Sequence, residues 1–291
     1  MDTNLSKANL VNSNLSNSNL SGALLTEANL ESANLEGARL VGSDLSLANL
    51  RNAQMTNTDL RGASLEGASL TGVQLTTSQL EGVFLKKAEM IGSQLPGARL
   101  SGVKMDEANL SGASMNGVNL NGSVLTFSDF SSAYLQGASI SGAWINIARL
   151  VGADLSQANL SASTFFGSDL TGANLRNSRL NGANLIGANL SGSDLRGVDL
   201  TGAILKLPVP PGSGPDFSYA NLTGPAFFQA MNETELAKIV SDYRVSDLSE
   251  ARLKPLLKDA VLQGVLYDDK TVWPLGYEIP SSAILMNDGL K

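Results

Sequence analysis

The chain has 291 residues, a formal net charge of -7, 43% hydrophobic residues, 5% aromatics and only 16% charged residues, with 29 Gly and neither Cys nor His. That excludes disulfides, thiolate nucleophiles, Cys–His couples and every histidine-dependent acid, base or metal ligand. The acidic balance also argues against a nucleic-acid binder, which would carry a basic patch. At the start, Met1-Asp2-Thr3-Asn4-Leu5-Ser6 lacks a basic segment followed by an apolar run, so no secretory leader is expected. No run of 18 apolar residues occurs, so no membrane-spanning helix is expected and the localisation expected is cytoplasmic.

A strict repeat fills residues 3–205. Every fifth residue from Leu5 to Leu205 is apolar: 33 of these 41 central positions are Leu, and the others are Met, Ile or Phe. Two residues before each centre lies a small residue, with 23 Ala, 11 Ser, 5 Val and 2 Thr. Asn or Asp precedes the centre in 20 of the 41 units, and all 23 glycines of this region fall two residues after a centre.

A period of five buries no single face of an α-helix, because five residues advance about 500°. It alternates faces in a flat strand. A chain that turns a corner every five residues can point all its central side chains inward, and its stacked coils then pair as a parallel β-helix. Gly after the centre suits a corner with positive φ. The Asp residues at Asp44, Asp59, Asp129, Asp154, Asp169, Asp194 and Asp199 occupy the Asn/Asp slot. Their expected role is hydrogen bonding at the turn, not catalysis.

The outward slots hold 15 large apolar residues. Folded at period 20, ten fall on the side of Leu5, Leu25 and Leu45, where chance would place about four. Folded at period 15, the largest group is seven against about five. Four sides are therefore favoured.

These units, such as Ala173-Asn174-Leu175-Arg176 and Ala153-Asp154-Leu155-Ser156, resemble the motif (A/S/T/V)-(D/N)-(L/F)-(S/T/R)-G of the pentapeptide-repeat proteins. The resemblance implies a right-handed quadrilateral parallel β-helix, an all-β solenoid. Residues 3–205 would make about ten four-sided coils, at ~4.8 Å each. It also brings a second functional reading, since some members resemble duplex DNA and protect type II topoisomerases. Residues 1–205 carry 16 acidic and 12 basic residues, a net of -4. A duplex of ~50 Å carries roughly 30 phosphate charges, so charge disfavours that alternative.

Beyond residue 205 the pattern changes. Residues 206–215 read as a Pro/Gly-rich loop, and 216–224 as two further repeats centred on Phe217 and Leu222. Residues 225–291 read as a capping or docking tail. Asn232-Glu233-Thr234-Glu235 predicts a capped helix to about Tyr243, and a second helix is expected to end at Gly264. Val265-Leu266-Tyr267 and Thr271-Val272-Trp273 are expected to form a hairpin. Trp273-Pro274-Leu275-Gly276-Tyr277 resembles a segment at the ends of cyanobacterial family members.

The expected function is a non-enzymatic protein-protein interaction scaffold or regulator presenting a rigid β-helical rod. No cofactor or metal is expected, and another protein is the expected partner. Nucleic acid and membrane are not expected partners, and an end-to-end homodimer is conceivable. The candidate interface, or docking site for the tail, comprises Phe84, Val124, Phe127, Trp144, Ile147, Phe166, Ile186 and Ile204, which stacking would place on one side of the coil.

Overall fold

The computed structural model describes residues 3–205, 227–228, 266–267, 281 and 284–285. The chain divides into two compact units, Met1–Trp144 and Ile145–Lys291.

In the first unit the outward residues just before the centres, from Asn4 to Trp144, pair in parallel at a spacing of twenty, as in Asn4↔Leu24, Leu24↔Asp44 and Asn9↔Asn29. Twenty residues are four repeat units, so each coil has four sides. Up to three backbone hydrogen bonds per side tie one coil to the next. Leu5 N–H donates to Leu24 O at 2.7 Å, Leu24 N–H to Thr3 O at 2.9 Å, and Lys7 N–H to Thr26 O at 2.9 Å. The second unit repeats the scheme, with Arg149↔Asp169, Asp154↔Asn174 and Asn184↔Ile204.

Each corner is a tight turn. Ala8 N–H donates to Leu5 O at 3.0 Å, and the residue two after the centre has positive φ, as at Lys7 (59°) and Gly22 (69°). A four-residue turn with φ > 0 at its third residue is type II. This explains the glycine slot: that position must be left-handed at every corner. At Gly67 space matters as well, because an added Cβ would lie 2.8 Å from Leu47 Cδ2. The leucine of one coil lies over the glycine of the next.

The core is the stack of central side chains with the small row beside it. Leu25, Leu30, Leu35 and Leu40 are fully buried, as are Ala28, Ala33 and Ala38. Several hydroxyls in the small row are satisfied internally, Ser43 Oγ donating to Leu40 O at 2.7 Å and Thr58 Oγ1 to Leu35 O at 2.9 Å, whereas those of Ser13, Ser93 and Ser178 are buried without a partner among the described residues. A buried hydroxyl left unpaired would cost roughly 1–3 kcal/mol.

At the end of the repeat, β1 (Ile204–Leu205) pairs in parallel with β2 (Phe227–Phe228), Ile204 opposite Phe227. The offset is 23 residues instead of twenty. β3 (Leu266–Tyr267) pairs in parallel with β4 (Ile284–Leu285). The sequence predicted that Leu266–Tyr267 would form one arm of a hairpin with 271–273. Its described partner is Ile284–Leu285, in the parallel sense that needs a longer connection than a hairpin turn. The second arm of that hairpin, both predicted helices and the two repeats centred on Phe217 and Leu222 lie outside the described residues. None of the described residues is helical.

Candidate functional site

Four outward columns run along the coils, one per side. They share a backbone geometry and differ in what they carry. On the side centred on Leu10, Leu30 and Leu50, the column reads Asn9, Asn29, Asn49, Ser69, Glu89, Asn109 and Asp129. Its polar groups serve the fold. Asn9, Asn29 and Asn49 each accept from the backbone N–H two residues on, at 3.2–3.3 Å. Asn49 Nδ2 donates to Asn29 Oδ1 at 3.0 Å, linking one coil to the next. This is the turn role expected of the Asn/Asp slot. Asp44, Asp154, Asp169 and Asp199 act in the same way toward Ser46, Ser156, Thr171 and Thr201.

Arginine joins the scheme on two sides. Arg61 Nε and Nη2 grip Asp59 at 2.9 and 2.7 Å. Those hydrogen bonds hold the Asp59 carboxyl below the usual carboxylate range. Arg196 does the same to Asp194 in the second unit. The hydroxyl and backbone of Ser46 lower Asp44. These carboxylates are occupied structurally. Among the described residues, no group of three His, Cys, Asp or Glu could hold a metal ion, and no helix is long and apolar enough to cross a membrane.

The side centred on Leu5, Leu25 and Leu45 differs. In the first unit its column reads Asn4, Leu24, Asp44, Ser64, Phe84, Lys104, Val124 and Trp144. Phe84 is 48% exposed and Trp144 59%, while Val124 is half-buried. Phe127, 45% exposed, stands at the adjoining corner with positive φ. The four candidates of this unit therefore belong to one side, as the period-20 count predicted.

In the second unit Ile204 is exposed, and Ile147, Phe166 and Ile186 are half-buried. Ile147 is at a corner, Phe166 and Ile186 are successive first-turn residues, and Ile204 follows Asn184 in the outward column. Ile147 N–H donates to Phe166 O at 2.8 Å, and Gly167 N–H to Ile186 O at 2.9 Å. The four occupy the same side of their own unit but three different slots of the repeat.

Scanning for apolar residues alone missed the charges set among them. Lys104 sits in the outward column between Phe84 and Val124. Lys86 and Lys87 both reach Glu107, at 3.8 and 3.6 Å. Burial raises the Asp106 carboxyl, against the pull of Lys86 and Lys104. The signal was present in the sequence: applying the period of twenty to the lysines places them in the same rows.

The family model for pentapeptide repeats matches in eight copies over residues 3–142 and 148–206. The chain is a pentapeptide-repeat protein. Proteins of this family fold as right-handed quadrilateral β-helices, which supplies the handedness of the coils described above. Among solved structures, HetL from the cyanobacterium Nostoc sp. strain PCC 7120, described as involved in heterocyst differentiation regulation, is 36% identical. That match covers 70% of this pentapeptide-repeat chain and 89% of HetL, with a TM-score of 0.42. Rfr23 from the cyanobacterium Cyanothece 51142 is 22% identical over 62% of this chain and 90% of its own, with a TM-score of 0.21. QnrB1, a plasmid-mediated fluoroquinolone resistance protein, is 17% identical over 65% and 97%, with a TM-score of 0.28. Comparison with curated proteins gave no match.

Proposed function

We propose that this pentapeptide-repeat protein is a non-enzymatic interaction scaffold, binding another protein through the side that carries Phe84, Val124, Phe127 and Trp144. One observation supports this reading above the others: apolar side chains fill a slot where the fold itself uses Asn or Asp. With Asn4 in the slot, the following turn closes at 3.0 Å, Ala8 N–H to Leu5 O. With Leu24 in the slot it also closes at 3.0 Å, and with Phe84 at 3.0 Å. With Val124 in the slot it closes at 3.3 Å, and with Trp144 the Ala148 N–H donates instead to Ser168 Oγ at 3.2 Å. None of these turns is tighter than the one after Asn4, so exposed Phe84 and Trp144 bring no visible gain to the turn. Exposed aromatics that the fold does not require are the residue types enriched where one protein anchors another.

The half-buried Ile147, Phe166 and Ile186 and the exposed Ile204 form a second, less exposed candidate surface within their own unit. The competing function is topoisomerase protection by DNA mimicry. Two arginines work against it, since Arg39 and Arg99 lie in one column of the first unit, with Asp59 and Gln79 between them.

Capture experiments from native cells test the proposal, using the full chain and its Trp144→Ala and Phe84→Ala variants. The expected result is a protein retained by the native chain and lost with both variants. Retention unaffected by either variant refutes this surface as the interface. Inhibition or protection of gyrase supercoiling at micromolar chain would favour the DNA-mimic reading instead.

A further inference from the structure

The outward column of the first unit from Phe84 to Trp144 has a definite order: aromatic, cationic, aliphatic, aromatic, one residue per coil. Successive coils rise by ~4.8 Å, so Phe84 and Trp144 are separated by about 14 Å along the column. An α-helix has a pitch of ~5.4 Å. Laid along this column, it would set one helical turn against each coil and drift by only about 2 Å over three coils. An extended strand offers same-side residues every ~6.8 Å and would miss the two middle coils.

The charges select further. Lys86 and Lys87 share the single carboxylate of Glu107, and Lys104 is exposed beside Asp106. Glu66 lies one coil before Lys86 in the same row, so three cations face three carboxylates around the column, and Lys104 is the one charge set within it between Phe84 and Val124. A second copy laid on this column would offer it another Lys104 and no carboxylate, because the column from Phe84 to Trp144 contains none.

We propose that this column docks an amphipathic α-helix of a partner protein. Read from Phe84 toward Trp144, the helix carries apolar side chains at i, i+7 and i+11 and a carboxylate at i+4. The apolar side chains pack on Phe84, Val124 and Trp144, and the carboxylate pairs with Lys104. This rests on the reading of this side as a protein-binding surface.

The test uses the full chain with Trp273→Phe, which leaves Trp144 as the sole tryptophan of the two in the sequence. The probes are Ala-rich helical peptides of about 18 residues bearing this pattern in forward or reversed order. Each is made with Glu or with Lys at the charged position. Emission of Trp144 is the readout. The expected result is that the Glu peptide binds about tenfold more tightly than its Lys twin, and that Lys104→Glu reverses the preference. Lys104 is exposed, and a melting curve verifies that the variant is folded.

Equal binding of Glu and Lys peptides, or no binding in either order, overturns the proposal. So does a Trp144 that iodide cannot quench in the free chain, because the face would then already be covered by the chain itself. A concentration-dependent dimer dissociated by Lys104→Glu would assign the face to a second copy and also overturn it. A cellular partner that needs Trp144 but ignores Lys104→Glu would defeat the helix inference and leave the scaffold reading standing.

Discussion

Two outward columns of the first unit, built on the same backbone, differ in what their side chains do. The Asn9–Asp129 column spends its polar groups on the fold, capping turns and linking coils through contacts such as Asn49 to Asn29. The Leu24–Trp144 column presents Leu24, Phe84 and Trp144 to solvent. The turns close along the first column, and in the second they close after Leu24 and Phe84, whereas after Trp144 the Ala148 N–H donates to Ser168 Oγ. A repeat of this kind therefore separates two tasks: the inward rows and the corners hold the coil, and the outward slot is free to carry either fold-supporting or partner-directed residues.

The sharpest way to test that separation is to attack the inward row. Leu100→Ala removes a fully buried central side chain and should cost about 2.7–5 kcal/mol in denaturant unfolding. A loss under about 1 kcal/mol would mean that the stacked row does not carry the stability. The corners come next. Gly102 has φ of +66° with nothing within 4 Å of an added Cβ, so Gly102→Val isolates backbone strain. The expected cost is about 1–3 kcal/mol, read from the midpoint of thermal or denaturant unfolding. A neutral outcome would show that the left-handed requirement at corners is soft.

The two outward columns should then part company. Asn49→Leu removes the hydrogen bonds to Asn29 and Glu31 and to the Arg51 N–H, for an expected loss of about 1–2 kcal/mol. Trp144→Ala in the other column should change stability by no more than about 0.5 kcal/mol while abolishing partner capture. Equal destabilisation by both substitutions would erase the distinction between the columns.

The smallest expected effect is electrostatic. Asp44, Asp59 and Asp194 have folded carboxyls below their usual range. Each contributes stability above its unfolded pKa and loses it as pH falls through the folded value. Asp106 is raised by burial, so its contribution has the opposite sign: it favours the folded chain at low pH and is lost as pH rises through its folded value. Acid titration followed by circular dichroism should show a net loss of stability below about pH 4. Asp106→Asn should raise the melting temperature at pH 7 relative to its effect at pH 3. An equal effect at both pH values would remove Asp106 from the pH response.

Much of the fold was legible in the sequence because the repeat is local. The central Leu, the small residue two before it and the left-handed residue two after it lie within one five-residue unit, so their spacing alone implies an inward row and a corner. The number of sides came from a weaker signal, the clustering of Leu24, Phe84 and Trp144 at period 20. The candidate face was legible only in part. Phe84 and Trp144 stood out as apolar residues in outward slots, whereas Lys86, Lys87, Lys104 and Glu107 read as ordinary surface charges.

The primary sequence by itself determined the inward rows and the corners, since burial and turn geometry act between residues a few positions apart. Tertiary structure decided which residues twenty apart become neighbours: Lys104 between Phe84 and Val124, and Glu107 within reach of two lysines. It also decided two long-range registers, the 23-residue step from Ile204 to Phe227 and the parallel pairing of Leu266–Tyr267 with Ile284–Leu285. Both join residues far apart in the chain and outside the repeat's twenty-residue step, and a five-residue pattern holds no record of them.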